Sequence, residues 1–501
     1  MNYHITDNFS RAVALKEIPT VDYAALYDDL RERLKQERYH VAHYFALPDG
    51  SLLRFYIVLL DDQEHRIMLA SFTMDYYDDT ALPSLTALHP ALHPFEREIA
   101  ELYDVEFDSM PWNKPLRFPF DRRNRNSTID NYPFYTIEGD SLHEVNVGPI
   151  HAGIIEPGAF RFICNGENVL HLEIALGYQH RGVEHQFAAT GNRLRQTLLA
   201  ESVAGDSAVS HASAFVAAME KLADRKVDDR LATERAIAAE LERMAMHIAD
   251  TGALSMDVGY QLGQVACEAL RTMTINTTQA WCGNRFGKGL IRPFGTNKPL
   301  TAEKAAMIRR NVAEIRRHYD EVRQDIKSSP TLLARYEQCG VVPRADMLRI
   351  GGVGMAARAS GVARDIRASH PTGVYAAIAH ESMVKRHGDV MARLMVRCRE
   401  VLQSADLIER LLADFTPTPS HPDYEAALAP ASLAVGLVEG WRGEICHVAV
   451  TDAEGRIAAY KIKDPSVHNW LALAIAVRGE GISDFPICNK SFNLSYCGHD
   501  L

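Results

Sequence analysis

The segment VGPIHAGIIEPGAFRFICNGENVLHLEIALGYQHRGVEHQF, residues 147 to 187, decides how the rest of the chain is read. It sets His151, Glu156, His171, Glu173, His180, Arg181, Glu184 and His185 among glycines and β-rich apolar runs. An ordinary β-rich core segment does not carry that density of ionisable groups, because burying charge without partners is costly. The stretch reads as a place where charge or protons are handled.

Upstream, Tyr23, Leu26, Tyr27, Leu30 and Leu34 recur at helical spacing between acidic and basic residues, which predicts an amphipathic helix over 21–36. The run YHVAHYFALPDGSLLRFYIVLLDDQEHRIMLASFTM then alternates β-rich pieces with turn signals and predicts a meander. Two His-Pro steps lead into a short helix carrying Glu96, Arg97, Glu98 and Glu101, which by its residues alone is a solvated face. From Phe107 to about Asn146 no period of 2 or 3.6 persists and Pro, Asn and Arg accumulate, so this part predicts a linker that wraps along a partner.

Downstream the chain turns helical. Ile237, Leu241, Met244, Ala245 and Ile248 form one stripe; Thr301 can cap a long helix whose Ile308, Val312, Ile315, Tyr319, Val322 and Ile326 follow a four-three alternation. The loop CGNRFGKGLIRPFG (282–295) lacks the spacing and the preceding strand of a phosphate loop. A hairpin follows at HVAVTDAEGRIAAYKIK. The expected fold class is α+β: residues 1–110 form a helix-plus-antiparallel-sheet domain, 111–146 an extended linker, and 147–501 a long-helix bundle with peripheral β hairpins. The two parts are expected to fold apart.

A chain of 501 residues exceeds one compact core, and its net charge of −11 argues against nucleic-acid partners. No apolar run approaches the ~18 residues of a membrane span, and the start MNYHITDNFS has no signal-peptide pattern. The eight cysteines, at 164, 267, 282, 339, 398, 446, 488 and 497, include no C-x-x-C pair and read as reduced, buried thiols of a cytoplasmic protein.

The Gly-Pro-x-His opening at 148–151, the Ile-Ile-Glu-Pro-Gly step at 154–158 and the Gly-Tyr-x-His-Arg-Gly-Val-Glu close at 177–184 resemble the large subunit of nickel–iron hydrogenases and the quinone-site large subunit of respiratory complex I. Glu439-Gly440-Trp441-Arg442-Gly443-Glu444 and Lys463-Asp464-Pro465-Ser466 resemble later elements of the same family. His93-Pro94-Phe95-Glu96-Arg97-Glu98 with Glu101-Leu102-Tyr103-Asp104-Val105 resembles the small peripheral subunit of complex I, in which this segment is a docking surface. The two joined in one chain resemble hydrogenase-4 and formate-hydrogenlyase large subunits.

That resemblance implies four thiolate ligands for nickel, from two C-x-x-C pairs. The matching positions here hold Ala204, Ser207, Ser495 and Gly498, so the nickel site reads as lost, and a chain ending at Leu501 offers no tail resembling the one removed in hydrogenase maturation. The second histidine and the tyrosine of the complex I quinone site are matched by Ile155 and Gly205. Glu156 matches the glutamate that takes protons from the metal in related hydrogenases, and enclosure by Ile154, Ile155 and Pro157 would disfavour its charged form. His151, His180, Arg181 and Glu184 could continue the path, and Arg442 matches an arginine facing the metal's diatomic ligands. The same set could instead be a buried ion-pair network, while His211 and His247 read as satisfied helix histidines.

The resemblance thus implies the core large subunit of a membrane-anchored, ion-translocating oxidoreductase, binding no cofactor itself. Its electrons would come from an iron–sulfur cluster in a small partner subunit. Membrane-embedded ion-translocating subunits would hold it peripherally at the cytoplasmic face, and a ferredoxin-like subunit is a further candidate partner. The alternatives are a silent scaffold, or quinone reduction in a remodelled pocket.

Overall fold

The computed structural model describes residues 1–78, 80–150, 156–378, 380–417 and 420–501. Helix α1 (Tyr23–Arg33) starts where the Asp22 carboxylate accepts the Ala25 N–H, and it buries Leu26 and Leu30. Strands β1 (Tyr39–Asp49), β2 (Leu52–Asp61) and β3 (Arg66–Asp75) form an antiparallel meander, with His4–Thr6 adding a strand beside β3.

The run FYIVLL in β2 has no polar alternation because both faces of its sheet are covered. Leu53, Phe55, Ile57 and Leu59 share a core with α1, while Tyr56, Val58 and Leu60 share another with Leu433, Val435, Val448 and Val450 from the far end of the chain. Val13–Ala14 moreover pairs with Ser432–Leu433 as an edge strand of the C-terminal sheet.

The two parts therefore do not fold apart as expected, since one apolar layer belongs to both. Deleting residues 1–110 would expose five C-terminal side chains of that layer (Leu433, Val435, Leu437, Val448 and Val450), an expected cost of roughly 10 kcal/mol at ~2 kcal/mol each. That equals the whole stability of many domains. The 111–501 fragment is expected to aggregate or lose cooperative melting; a monomeric fragment of native helix content by sedimentation and circular dichroism would refute this.

Helix α2 (His93–Tyr103) is not a solvated face: Glu96, Arg97, Glu98 and Glu101 are all buried. Glu96 accepts from Ser84 Oγ and from the backbone of Leu85 and Thr86. Glu101 accepts the backbone N–H groups of Leu116, Arg117 and Phe118 at 3.3, 3.0 and 2.7 Å, and Arg97 donates to the carbonyls of Lys114 and Pro115. The first part of the irregular segment after residue 110 is thus fastened to α2 of its own chain through backbone groups.

Strands β4 (Leu142–Val147), β5 (Ala159–Asn165) and β6 (Asn168–Ala175) form a second antiparallel sheet, followed by α3 (Val183–Ala189) and α4 (Ala208–Leu222). In the bundle, α5 (Asp229–Asp257) packs against α6 (Gln261–Cys282) and α8 (Val390–Ala413), and α7 (Ala302–Ser328) packs against the same two. The Thr301 side chain caps α7, and its seam Ile308, Val312, Ile315, Tyr319, Val322 and Ile326 is buried as the spacing predicts. The C-terminal sheet β7 (Ser432–Glu439), β8 (Glu444–Thr451) and β9 (Ile457–Lys463) leads into α9 (Ser466–Val477), α10 (Phe485–Phe492) and the short α11 (Tyr496–Asp500). No helix among the described residues is long and apolar enough to cross a membrane.

Candidate functional site

The residues predicted to carry chemistry divide into two groups around α11. Glu156 is half-buried and accepts the backbone N–H of Cys497 at 3.1 Å. Arg181 donates to the carbonyls of Cys497, Ser202 and Val203, and its backbone N–H to that of Leu501. His180 Nδ1 lies 2.9 Å from the Asp500 carbonyl, and burial pushes its imidazole below the ordinary range. These three converge on the last residues, where the Asp500 carboxylate also accepts the N–H groups of Gly177 and Gln179. His151 lies outside the described residues, as do Ile154 and Ile155.

Glu184 stands apart from them. It joins Lys461 and Glu98 in a buried trio that ties α3, β9 and α2 together, and burial raises its carboxyl above the usual range. Arg442 faces the other side of α11. Its guanidinium grips Asp206 with two bonds of 2.7 Å, donates to the Asn493 carbonyl and stacks 3.9 Å from the Trp441 ring.

Ala204, Ser207, Ser495 and Gly498 are all buried, and none supplies a soft donor. Ser495 Oγ is occupied with the Gly498 N–H at 2.9 Å. A Cβ on Gly498 would stand 2.7 Å from an Asp464 carboxylate oxygen and 2.9 Å from Ser495 Oγ, so a cysteine there has no room without displacing Asp464. Cys497, the sulfur nearest these positions, is held protonated: burial and the neighbouring Glu156 push its thiol up to about 11. Among the described residues no three His, Cys, Asp or Glu side chains converge as metal ligands.

Asp464 begins a relay that the sequence did not announce. His211 Nε2 lies 3.1 Å from its Oδ2, His211 Nδ1 lies 3.0 Å from His447 Nε2, and His447 Nδ1 lies 2.8 Å from the Tyr460 hydroxyl. All four are buried. Burial pushes Asp464 up, but the bond and charge of His211 and the charge of Arg442 outweigh it and hold its carboxyl below the ordinary range. Burial and His211 hold His447 well below the imidazole range. For one proton on the His211 ring, an ionised Asp464 and a neutral His447 leave a single arrangement that satisfies all contacts: Tyr460 donates to His447, His447 to His211, and His211 to Asp464. A proton placed on His211 Nδ1 keeps the bond to Asp464 and reverses the other two, from His211 to His447 and from His447 to Tyr460, so the chain can pass a proton by tautomer exchange.

Residues 257–434 match the family model of the 49 kDa subunit of respiratory-chain NADH dehydrogenase, and residues 14–124 that of its 30 kDa subunit. The carbon monoxide-induced hydrogenase of Rhodospirillum rubrum is 30% identical over 357 residues, covering 70% of this chain and 98% of that protein. The chain belongs to the hydrogenase and complex I large-subunit family. Hydrogenase-4 component G of Escherichia coli is 25% identical across 89% of this chain and 80% of its own length. Formate hydrogenlyase subunit 5 of the same organism is 27% identical across 83% and 76%. Both 49 and 30 kDa models matching one chain agrees with the fused architecture, and this hydrogenase-like, complex I-like large subunit is an oxidoreductase component.

Lys463-Asp464-Pro465-Ser466 stood out only by its resemblance to a family element; His211 is a satisfied helix histidine as expected, and its partners Asp464 and His447 were not foreseen. The available signal was His447, an ionisable side chain inside the apolar alternation of β8, where burial demands a polar partner.

Proposed function

We propose that this family member is the core large subunit of a peripheral, membrane-anchored, ion-translocating complex that works without a nickel–iron centre. In this reading it couples electrons from an iron–sulfur cluster in a small partner subunit to proton movement, and membrane-embedded subunits hold it at the cytoplasmic face. A ferredoxin-like subunit is a further partner in the proposal. The observation that carries the reading is what stands at the four ligand positions: Ala204, Ser207, Ser495 and Gly498, with the Arg442–Asp206 pair and Asp464 packed against them. In this reading the four positions hold no metal, and the groups packed beside them handle protons. Glu156, Cys497, Ser495, Asp464, His211, His447 and Tyr460 form a run of protonic groups from the segment after residue 155 into the C-terminal sheet. The structural gap in that run lies between Ser495 and Asp464, whose oxygens flank one small space beside Gly498.

A second reading, a catalytically silent scaffold, is favoured by one observation. Glu98, Lys461 and Glu184 spend their charges on holding three elements together.

The first reading predicts that the complex, purified intact from its native source, contains iron and acid-labile sulfide from a co-purifying small subunit and no stoichiometric nickel. Nickel equimolar with the chain would overturn the metal-free assignment. A free monomer as the sole species in native mass spectrometry of extracts would overturn the core-subunit assignment.

A further inference from the structure

A cavity of about 540 Å³ lies between α2, the segment after residue 110, β6 and α9. Its volume falls in the range of small-molecule sites. Leu172, Leu176, Val467, Leu471 and Ala474 make most of its wall apolar. One side is a stack: the His93 ring lies 4.8 Å from the Trp112 ring at 20°, and the Arg97 guanidinium lies 4.6 Å from the centre of the Trp112 ring.

Two groups on this wall are out of keeping with an idle void. His93 is 5% exposed, and neither of its ring nitrogens has a hydrogen-bond partner among the described residues. Trp470 is 4% exposed, and its indole N–H has none either. A buried polar group without a partner is costly, and native structures rarely keep one without a reason. Of the three Lys and Arg side chains on the wall, Lys114 is engaged with Glu173 and Arg97 with the carbonyls of Lys114 and Pro115, while Arg478 is exposed to solvent. What is buried and unsatisfied is neutral, since burial, Arg97 and His468 keep His93 well below the imidazole range.

We infer that this cavity is a binding site for an uncharged, planar aromatic molecule carrying a hydroxyl or carbonyl oxygen, which packs on the His93–Trp112 wall and pairs with His93 and the Trp470 N–H. A planar ring matches the stack, and apolar walls match its faces. One oxygen can accept from Trp470 or His93, and a hydroxyl can donate to the other imidazole nitrogen. The buried wall calls for no charge, because Arg97 and Lys114 have their acceptors and Arg478 is exposed to solvent. The inference is independent of the proton-coupling proposal, since it uses neither Glu156 nor the relay.

The test is calorimetric titration of the purified full chain with 2-naphthol, with naphthalene as the ring lacking the oxygen. The expected result is saturable one-to-one binding of 2-naphthol, with naphthalene about tenfold weaker or worse, the scale of one lost hydrogen bond. His93→Phe keeps a flat ring against Trp112 and removes both nitrogens, and Trp470→Phe removes only the N–H donor; each is expected to weaken 2-naphthol about tenfold. Trp281→Phe, outside the cavity, leaves it unchanged, and melting curves establish that the variants fold. Absence of saturable binding to the wild-type chain, equal affinity for naphthalene, or full affinity in both folded cavity variants overturns the assignment. The naphthalene comparison needs no variant, so a misfolded substitution does not leave the site undecided.

Discussion

Replacing Arg358 by methionine is expected to cost about 3–5 kcal/mol of stability, the usual price of stripping a buried carboxylate cluster of one cation. The Arg358 guanidinium lies 2.8 Å from Glu400, 2.7 Å from Glu439 and 3.6 Å from Asp365, and all four side chains are fully buried or nearly so. Arg367 and Arg243 complete the cluster through Asp365, Glu240 and Glu400. Three guanidiniums thus face four carboxylates, and the cluster is short of one positive charge. The shortfall settles on Glu439: burial first, then the charge of Asp365, push its carboxyl up to about 7. Glu439→Gln, which imitates the protonated acid, should therefore act in the opposite direction to Arg358→Met.

The sign follows from proton binding. Because the folded-state value lies above the ordinary 4.5, the folded protein binds more protons between pH 4.5 and about 7. Stability from this group therefore falls as pH rises through that window and levels off above it. The Gln variant should gain on the wild type across the same window, reaching at most about 3 kcal/mol above pH 7. Denaturant midpoints measured from pH 5 to 8 check both. Arg358→Met within about 1 kcal/mol of wild type, or a Gln margin independent of pH, would show that the cluster is screened by water.

The second large effect concerns function. In the assembled complex, Glu156→Gln and Asp464→Asn are each expected to lower ion-coupled turnover about 100-fold or more, the scale of a general acid–base contribution. Neither change should harm assembly. The glutamine carbonyl can still accept from Cys497 N–H; an asparagine oxygen can still accept the Ser466 N–H while its amide NH2 donates to His211 Nε2, with the two imidazoles taking their other tautomers. Among the described residues Glu156 makes no ion pair and Arg181 is satisfied by carbonyls, so loss of the Glu156 charge strands no cation there. Well-assembled variants with unchanged turnover would rule out the proton role and favour the scaffold.

What could be read from the sequence was what leaves a side-chain period. The seam of α7 was legible because one face of that helix is apolar and the other wet. The stripe Ile237 to Ile248 on α5 was legible as an apolar face, but the polar residues beside it are not on a wet one. Glu240, Arg243, His247 and Asp250 are as buried as the stripe, and partners such as Arg358 and Glu400 lie more than 100 residues away. Periodicity reports an apolar face and has no term for a second, polar buried one. The segment after residue 110 looked like a linker because its fastening is through backbone N–H groups to Glu101, which no residue pattern records. Likewise Cys339 and Cys488, unremarkable in the sequence, stand 3.8 Å apart. The motif residues Glu156, His180, Arg181 and Arg442 were found from resemblance, and the relay behind them was not, because Asp464, His211 and His447 come from three separate stretches.

The apolar layer shared by β2 and the C-terminal sheet also sets the order in which the chain can mature on the ribosome. The first meander is synthesised early, but its outer face has nothing to cover it until β7 and β8 emerge, about 400 residues after Val13. At ~5–20 residues per second that interval is roughly 20–80 s, during which Tyr56, Val58 and Leu60 form an open, sticky strand surface. The nascent protein thus has a window of self-association that closes only when its last strands arrive, and slower translation between residues 110 and 430 should raise its demand for chaperones.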